Sequence, residues 1–243
     1  MAQSREARAG AASAQNLPIQ RQTVTSQAAD RLRDKILRGD YREGVPLRQD
    51  ALAAELGVSR IPIREALRQL EVEGLVTFSP HVGAVVSTLS LGEIMELFEV
   101  RALLETDLLR RSIGELTAAD LDRADDILDA YEAAFQEGDV ATWGVLNWRF
   151  HSTLLGMKDR PLTIGILQHL HNQSDRYTRL QLSLTQGQSR AAEEHRAILE
   201  AVREGDVDSA CDLLHAHIVD AGLSLVDFLR VHRSGESARR EPA

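Results

Sequence analysis

LRQDALAAELGVSRIPIREALRQLEVEGLV, residues 47–76, is the stretch that decides the N-terminal fold. Its apolar residues recur at helical spacing in two short runs. The first run buries Leu52, Ala53 and Leu56 and stops at Gly57, which can adopt the left-handed conformation that ends a helix. Ser59 can cap the second run, which buries Ile63, Ala66, Leu67 and Leu70 and stops at Gly74. Pro62 is tolerated because it falls in the opening turn, where its missing N–H costs nothing. Two short helices joined by a glycine-containing turn form a helix-turn-helix. In that motif the first residues of the second helix, here Ser59, Arg60, Ile61 and Arg64, face the base edges of the DNA major groove.

Working outward, TSQAADRLRDKILRGDY places Ala28, Leu32, Ile36 and Leu37 on one stripe of a preceding helix that stops at Gly39, and REGVP reads as a turn. Downstream, LVTF and AVVS are β-prone runs separated by SPHVG, a hairpin with His81 and Gly83 near its tip. The whole reads as a winged helix-turn-helix over residues 23–88. Spacing alone equally allows a packing module in which Arg60, Arg64 and Arg68 form an ordinary solvated face.

Charge is divided unevenly. The chain carries a net −9, but residues 1–88 hold 12 Lys or Arg against 10 Asp or Glu, whereas residues 89–243 hold 16 against 27. The overall sign excludes a protein that coats nucleic acid indiscriminately, yet a weakly positive N-terminal unit can bind phosphates through its local potential. A lone cysteine, Cys211, forms no intramolecular bridge and suits a reducing interior. No run approaches the roughly eighteen apolar residues of a membrane span. Residues 1–22 lack an apolar signal core and read as a disordered tail, so the expected location is the cytoplasm.

Residues 89–232 read as six antiparallel helices with short connections, a helical bundle, followed by a second tail over 233–243. Ser90 to Glu93 and Thr117 to Asp120 have capping-box spacing; Asp139 and Asp206 cap later helices and Pro161 opens another. The fold class is therefore mainly α, a winged helix-turn-helix joined to a six-helix bundle. Polar residues on the apolar stripes need a partner or a task. Asn147 and His151 stand four apart beside Trp143, Phe150 and Leu154; His195 lies with Ile198, Leu199 and Val202; His217 lies with Leu213, Leu214 and Ala221. Together they form a candidate site for a divalent transition metal. Arg101 falls in line with Leu97 and Phe98, so it too is a candidate to point inward, where a carboxylate ligand would supply its anion. The alternatives are core histidines bonded to neighbours and an Arg101–Glu105 pair on the surface. His169, His171, His215 and His232 show no comparable arrangement and are assigned to solvent or an interface.

The stretch over residues 47–76 resembles the winged helix of the GntR family of bacterial transcription regulators. FEVRALLE (98–105), NWRFH (147–151), EEHRAILEAVREGDVDSA (193–210) and LLHAHI (213–218) resemble the FCD ligand-binding domain of its FadR subfamily, and six helices point to the VanR-like branch. The resemblance implies DNA contacts from Arg48, Ser59, Arg60, Arg64, His81 and Gly83. It implies a zinc or nickel ion held at the positions of Asn147, His151, His195 and His217, with Arg101 beside the effector. An aspartate is usual where Asn147 stands, and a neutral amide is the weaker ligand.

The expected function is a DNA-binding transcription regulator, a repressor as is usual in that family. It would act as a homodimer on a double-stranded operator, modulated by a small carboxylate or sugar acid in the metal-containing pocket. Two rivals use the same histidines: a metalloenzyme, and a regulator for which the metal itself is the signal.

Overall fold

The computed structural model describes residues 23–156, 160–185 and 190–240. The expected tail over 1–22 lies outside them. Helix α1 (Val24–Leu37) is capped by Thr23, whose hydroxyl accepts from the Ser26 N–H at 3.1 Å, and it buries Ala28, Ala29, Leu32 and Ile36. α2 (Gln49–Leu56) ends at Gly57 with φ +67°, and α3 (Arg60–Val72) buries Ile63, Ala66, Leu67 and Leu70. Arg33 of α1 forks onto Glu73 just past α3, with both bonds at 2.7 Å, and so fixes the first helix to the end of the third. The two strands β1 (Val76–Ser79) and β2 (Gly83–Val86) pair antiparallel with Val76 opposite Val86.

One local expectation is corrected. REGVP is more than a turn, because it runs along the free edge of β2: Gly44 and Leu47 donate to the carbonyls of Val86 and Ala84 at 3.0 and 2.8 Å, and Pro46 bridges Val85. An exposed strand edge is a row of unmet donors and acceptors, and an edge position tolerates a proline.

The second unit holds α4 (Leu91–Ser112), α5 (Ala118–Gln136), α6 (Val140–Leu154), α7 (Pro161–Thr185), α8 (Arg190–Glu204) and α9 (Val207–Arg240). Both expected capping boxes are formed, at Ser90/Glu93 and at Thr117/Asp120. α4 packs along α9, α5 along α6 and α8 along α9. The α4–α9 approach is close at Gly222, where a Cβ would sit 2.8 Å from Phe98. α9 continues to Arg240, past the residue-232 boundary read from the sequence, since no proline interrupts the chain before Pro242.

Each unit has its own core, one around Leu32, Leu67 and Leu70 and the other around Phe98, Leu128 and Phe150. Polar contacts join them, because Arg176 of α7 donates to the Ser87 carbonyl at 2.6 Å and to Glu43 at 2.8 Å, and the Leu89 N–H donates to the Tyr177 hydroxyl at 2.8 Å. Among the described residues no helix is long and apolar enough to cross a membrane.

Candidate functional site

At the start of α3, Ser59 occupies the capping position but its hydroxyl makes no capping bond, so the oxygen is left exposed. Arg60 and Arg64 follow it on the surface. Arg60 meets Asp50 at 2.8 Å with both side chains about 70% exposed, and Arg64 meets Glu65 at 3.3 Å. Solvated pairs of this kind hold their arginines weakly, and a phosphate or base edge can displace the carboxylate. The Arg60–Asp50 contact sets the beginning of α2, with exposed Arg48 at its cap, beside the beginning of α3. The wing tip is the turn around His81, which is exposed and adopts φ +65°, followed by Gly83 at φ +90°. Exposed Ile61 and Val82 add apolar surface to these two ends.

In the bundle, α6, α8 and α9 bring His151, His195 and His217 together. One ligand-competent atom from each lies within 4.8 Å of the others, and His195 Nε2 is 3.1 Å from His217 Nε2. All three rings are buried, and burial pulls His151 below the usual imidazole range and His195 well below it. Burial thus favours the neutral form of His151 and His195, the form that ligates a metal. Their outer faces are anchored by carboxylates: His151 Nδ1 meets Glu105 and His217 Nδ1 meets Glu194, each at 2.7 Å. A carboxylate on Nδ1 keeps the hydrogen there and turns the Nε2 lone pair inward. His151 Nε2 is buried with no partner. Three imidazoles with two oriented lone pairs, one of them orphaned, fit a divalent ion.

Asn147 lies one turn before His151, and its amide nitrogen meets His171 Nε2 at 3.4 Å. His171 is a correction to the sequence reading, which placed it at solvent or an interface. It is buried, four residues after buried Leu167 on α7, and desolvation holds it well below the usual imidazole range. The four-residue step from Leu167 was the signal available in the sequence.

Arg101 points inward as one alternative expected, and its partner is the Glu105 that the other alternative expected, but the pair is buried. Arg101 Nε donates to Glu105 at 2.8 Å and Nη1 donates to the Ser174 hydroxyl at 3.1 Å. Burial by itself would raise the Glu105 carboxyl, yet Arg101 and His151 together hold it well below the usual carboxylate range. Spacing identified the pair without revealing that Glu105 also anchors His151. A second buried pair, Asp175–Arg179 at 2.7 Å, lies flat on α6 at Gly144, where a Cβ would come within 2.4 Å of the Asp175 carboxylate.

The protein-family model described as "Bacterial regulatory proteins, gntR family" matches residues 24–86, and the FCD domain model matches residues 96–220. The uncharacterized HTH-type transcriptional regulator YdhC of Bacillus subtilis (strain 168) is 30% identical over 195 residues, 79% of this chain and 86% of that protein. The gluconate operon transcriptional repressor of Bacillus licheniformis is 27% identical, covering 83% of this chain and 85% of its own. A putative GntR transcriptional regulator from Rhodococcus sp. RHA1 superimposes with a TM-score of 0.70 at 24% identity, over 84% of this chain and 97% of that one, and so shares the fold.

Proposed function

The chain belongs to the gntR family of bacterial regulatory proteins and carries an FCD domain, and from that premise we propose that it is a repressor whose hold on its operator is set by a small carboxylate or sugar acid bound in the bundle beside a divalent metal. It is a DNA-binding transcription regulator and not an enzyme. In the proposed assembly, two copies present two winged helices to the halves of an operator in the cytoplasm. Ser59, Arg60 and Arg64 enter the major groove, Arg48 braces the backbone, and His81 with Gly83 reaches the neighbouring groove.

The observation that carries the effector half is the buried histidine group. His151, His195 and His217 would hold zinc or nickel, with Asn147 one turn away as a weak further ligand. The three imidazoles bring no negative charge, and no carboxylate lies in the donor group among the described residues. A bound ion supplies a Lewis-acidic centre that favours an anionic oxygen ligand. Glu105 and Glu194 offset part of the ion's charge, but Glu105 is shared with Arg101. A buried charge excess is costly, so an entering carboxylate is favoured. Arg101 stands beside this centre with Nη2 outside its bonds to Glu105 and Ser174, available to a carboxylate oxygen. The relative named for a gluconate operon supports the sugar-acid class.

An inducer releases DNA only by the margin with which it prefers the DNA-incompetent arrangement, and a tenfold loss of operator affinity requires about 1.4 kcal/mol. The test is metal content of the purified protein beside His195→Ala, followed by operator binding across a panel of small carboxylates. The expected result is about one transition metal per chain, lost in the variant, and a carboxylate that weakens operator binding only in the metal-loaded protein. Equal metal content in the two proteins, or operator binding indifferent to the whole panel, overturns the proposal.

A further inference from the structure

Helix α7 has two polar faces on opposite sides. Toward the bundle it presents His171 and Ser174, which meet Asn147 and Arg101, and the Asp175–Arg179 pair, which lies against Gly144 of α6. Toward the winged helix it presents His169, Gln173, Arg176 and Tyr177. His169 and Gln173 are one turn apart, and at about 100° per residue they lie roughly 160–200° around the helix from His171.

The outward face grips the recognition helix by its C-terminal end. His169 Nδ1 lies 2.9 Å from the carbonyl oxygen of Val72, the last residue of α3, and Gln173 Nε2 lies 3.2 Å from His169 Nε2. With the Gln173 amide donating, His169 Nε2 is an acceptor and the ring hydrogen must sit on Nδ1, where it is donated to Val72. One chain of hydrogen bonds thus fixes the tautomer and satisfies a carbonyl that the helix itself leaves without a partner. Gln173 also rests on Gly74, the glycine at φ +76° that ends α3, so closely that a Cβ there would lie 2.3 Å from its amide nitrogen. One turn further along α7, Arg176 holds the Ser87 carbonyl just past β2, and Glu43 is gripped by Arg176 and by Arg233 of α9. Both ends of the DNA-reading unit, the exit of α3 and the exit of the wing, are therefore docked on this one helix.

We propose that His169 and Gln173 are positioning residues for operator reading: from the ligand-binding domain they cap α3 and set its attitude toward DNA. A ligand touching His171 or Ser174 then acts on the opposite side of the element that orients α3. That last step rests on the pocket reading given above, whereas the positioning role does not.

The test uses the full-length protein with His169→Ala, Gln173→Ala and His169→Asn, the last keeping an amide donor near the Nδ1 position. Two quantities are read: affinity for an operator fragment selected with the wild-type protein, and amide hydrogen exchange at residues 70–75. Loss of one hydrogen bond to a helix-end carbonyl corresponds to a change of about three- to tenfold. Weaker operator binding by that factor in both alanine variants is expected, with faster exchange confined to the end of α3, an unchanged dependence of binding on salt, and recovery in His169→Asn. Wild-type affinity and wild-type exchange in both alanine variants would overturn the positioning role. Transition-metal content is measured on the same samples. If none is present the pocket reading fails while the effect of His169 on α3 stands, so the two failures are distinguishable.

Discussion

The buried Arg101–Glu105 pair offers a quantitative test of how the bundle core is built. Glu105 is fully buried and bonded at 2.8 Å to Arg101 and at 2.7 Å to His151, and Arg101 is almost equally buried. Arg101→Met leaves a carboxylate in the core with only a neutral imidazole beside it; Glu105→Met leaves a guanidinium with only the Ser174 hydroxyl. Each single change is expected to cost about 3–5 kcal/mol, the penalty for stranding one member of a buried ion pair. The double substitution removes both charges and fills the space with methionine. What remains is the lost acceptor of His151 Nδ1, about 1–3 kcal/mol. The double variant should therefore be more stable than the two single losses added together by about 3 kcal/mol or more. Urea unfolding in the presence of a chelator, which removes metal linkage, reads these values. Trp143 and Trp148, the chain's two tryptophans, both lie on α6, so their fluorescence reports the bundle and not the winged helix. Additive single losses, or single losses below about 1 kcal/mol, would show that water reaches the pair and that its buried geometry does not govern stability.

Three further outcomes are expected. Arg60→Ala and Arg64→Ala should each weaken specific operator binding by about 1–3 kcal/mol while leaving the unfolding midpoint unchanged, because their carboxylate partners are solvated; fluorescence anisotropy against specific and unrelated duplexes checks this. Gly144→Ala should destabilise the bundle by about 1–3 kcal/mol by driving Asp175 and Arg179 off α6, whereas Gly165→Ala, with open space at the Cβ position, should gain up to about 1 kcal/mol in the same denaturation experiment. Zinc should raise the melting temperature of the wild type but not of His217→Ala, a stabilisation of about 2.7 kcal/mol when zinc is at a hundred times its dissociation constant; equal shifts in the two proteins would place any bound zinc elsewhere.

How much was legible in the sequence follows the range of the forces involved. Caps at Ser90 and Thr117, glycine stops at Gly57 and Gly74, and the stripes through Leu32, Leu67 and Phe150 are local. They depend on hydrogen bonds and side-chain directions within a turn or two, and so can be read from spacing. The same spacing placed His151, His195 and His217 on inward faces of separate helices. It could not say that their nitrogens come within 4.8 Å of one another, because that distance depends on the crossing of α6, α8 and α9.

The sequence by itself determined the two units, the order of their elements and the inward aim of the histidines, since each follows from local backbone chemistry and the need to bury apolar faces. Only the tertiary structure decided that Glu105 serves both Arg101 and His151, that His171 is buried against Asn147, that residues 44–47 bond along the free edge of β2, and that His169 caps α3 from the other unit. Most of these contacts join residues tens of positions apart in the chain. Helical or strand periodicity says which side a residue faces, and only the packed arrangement of elements says what it meets there.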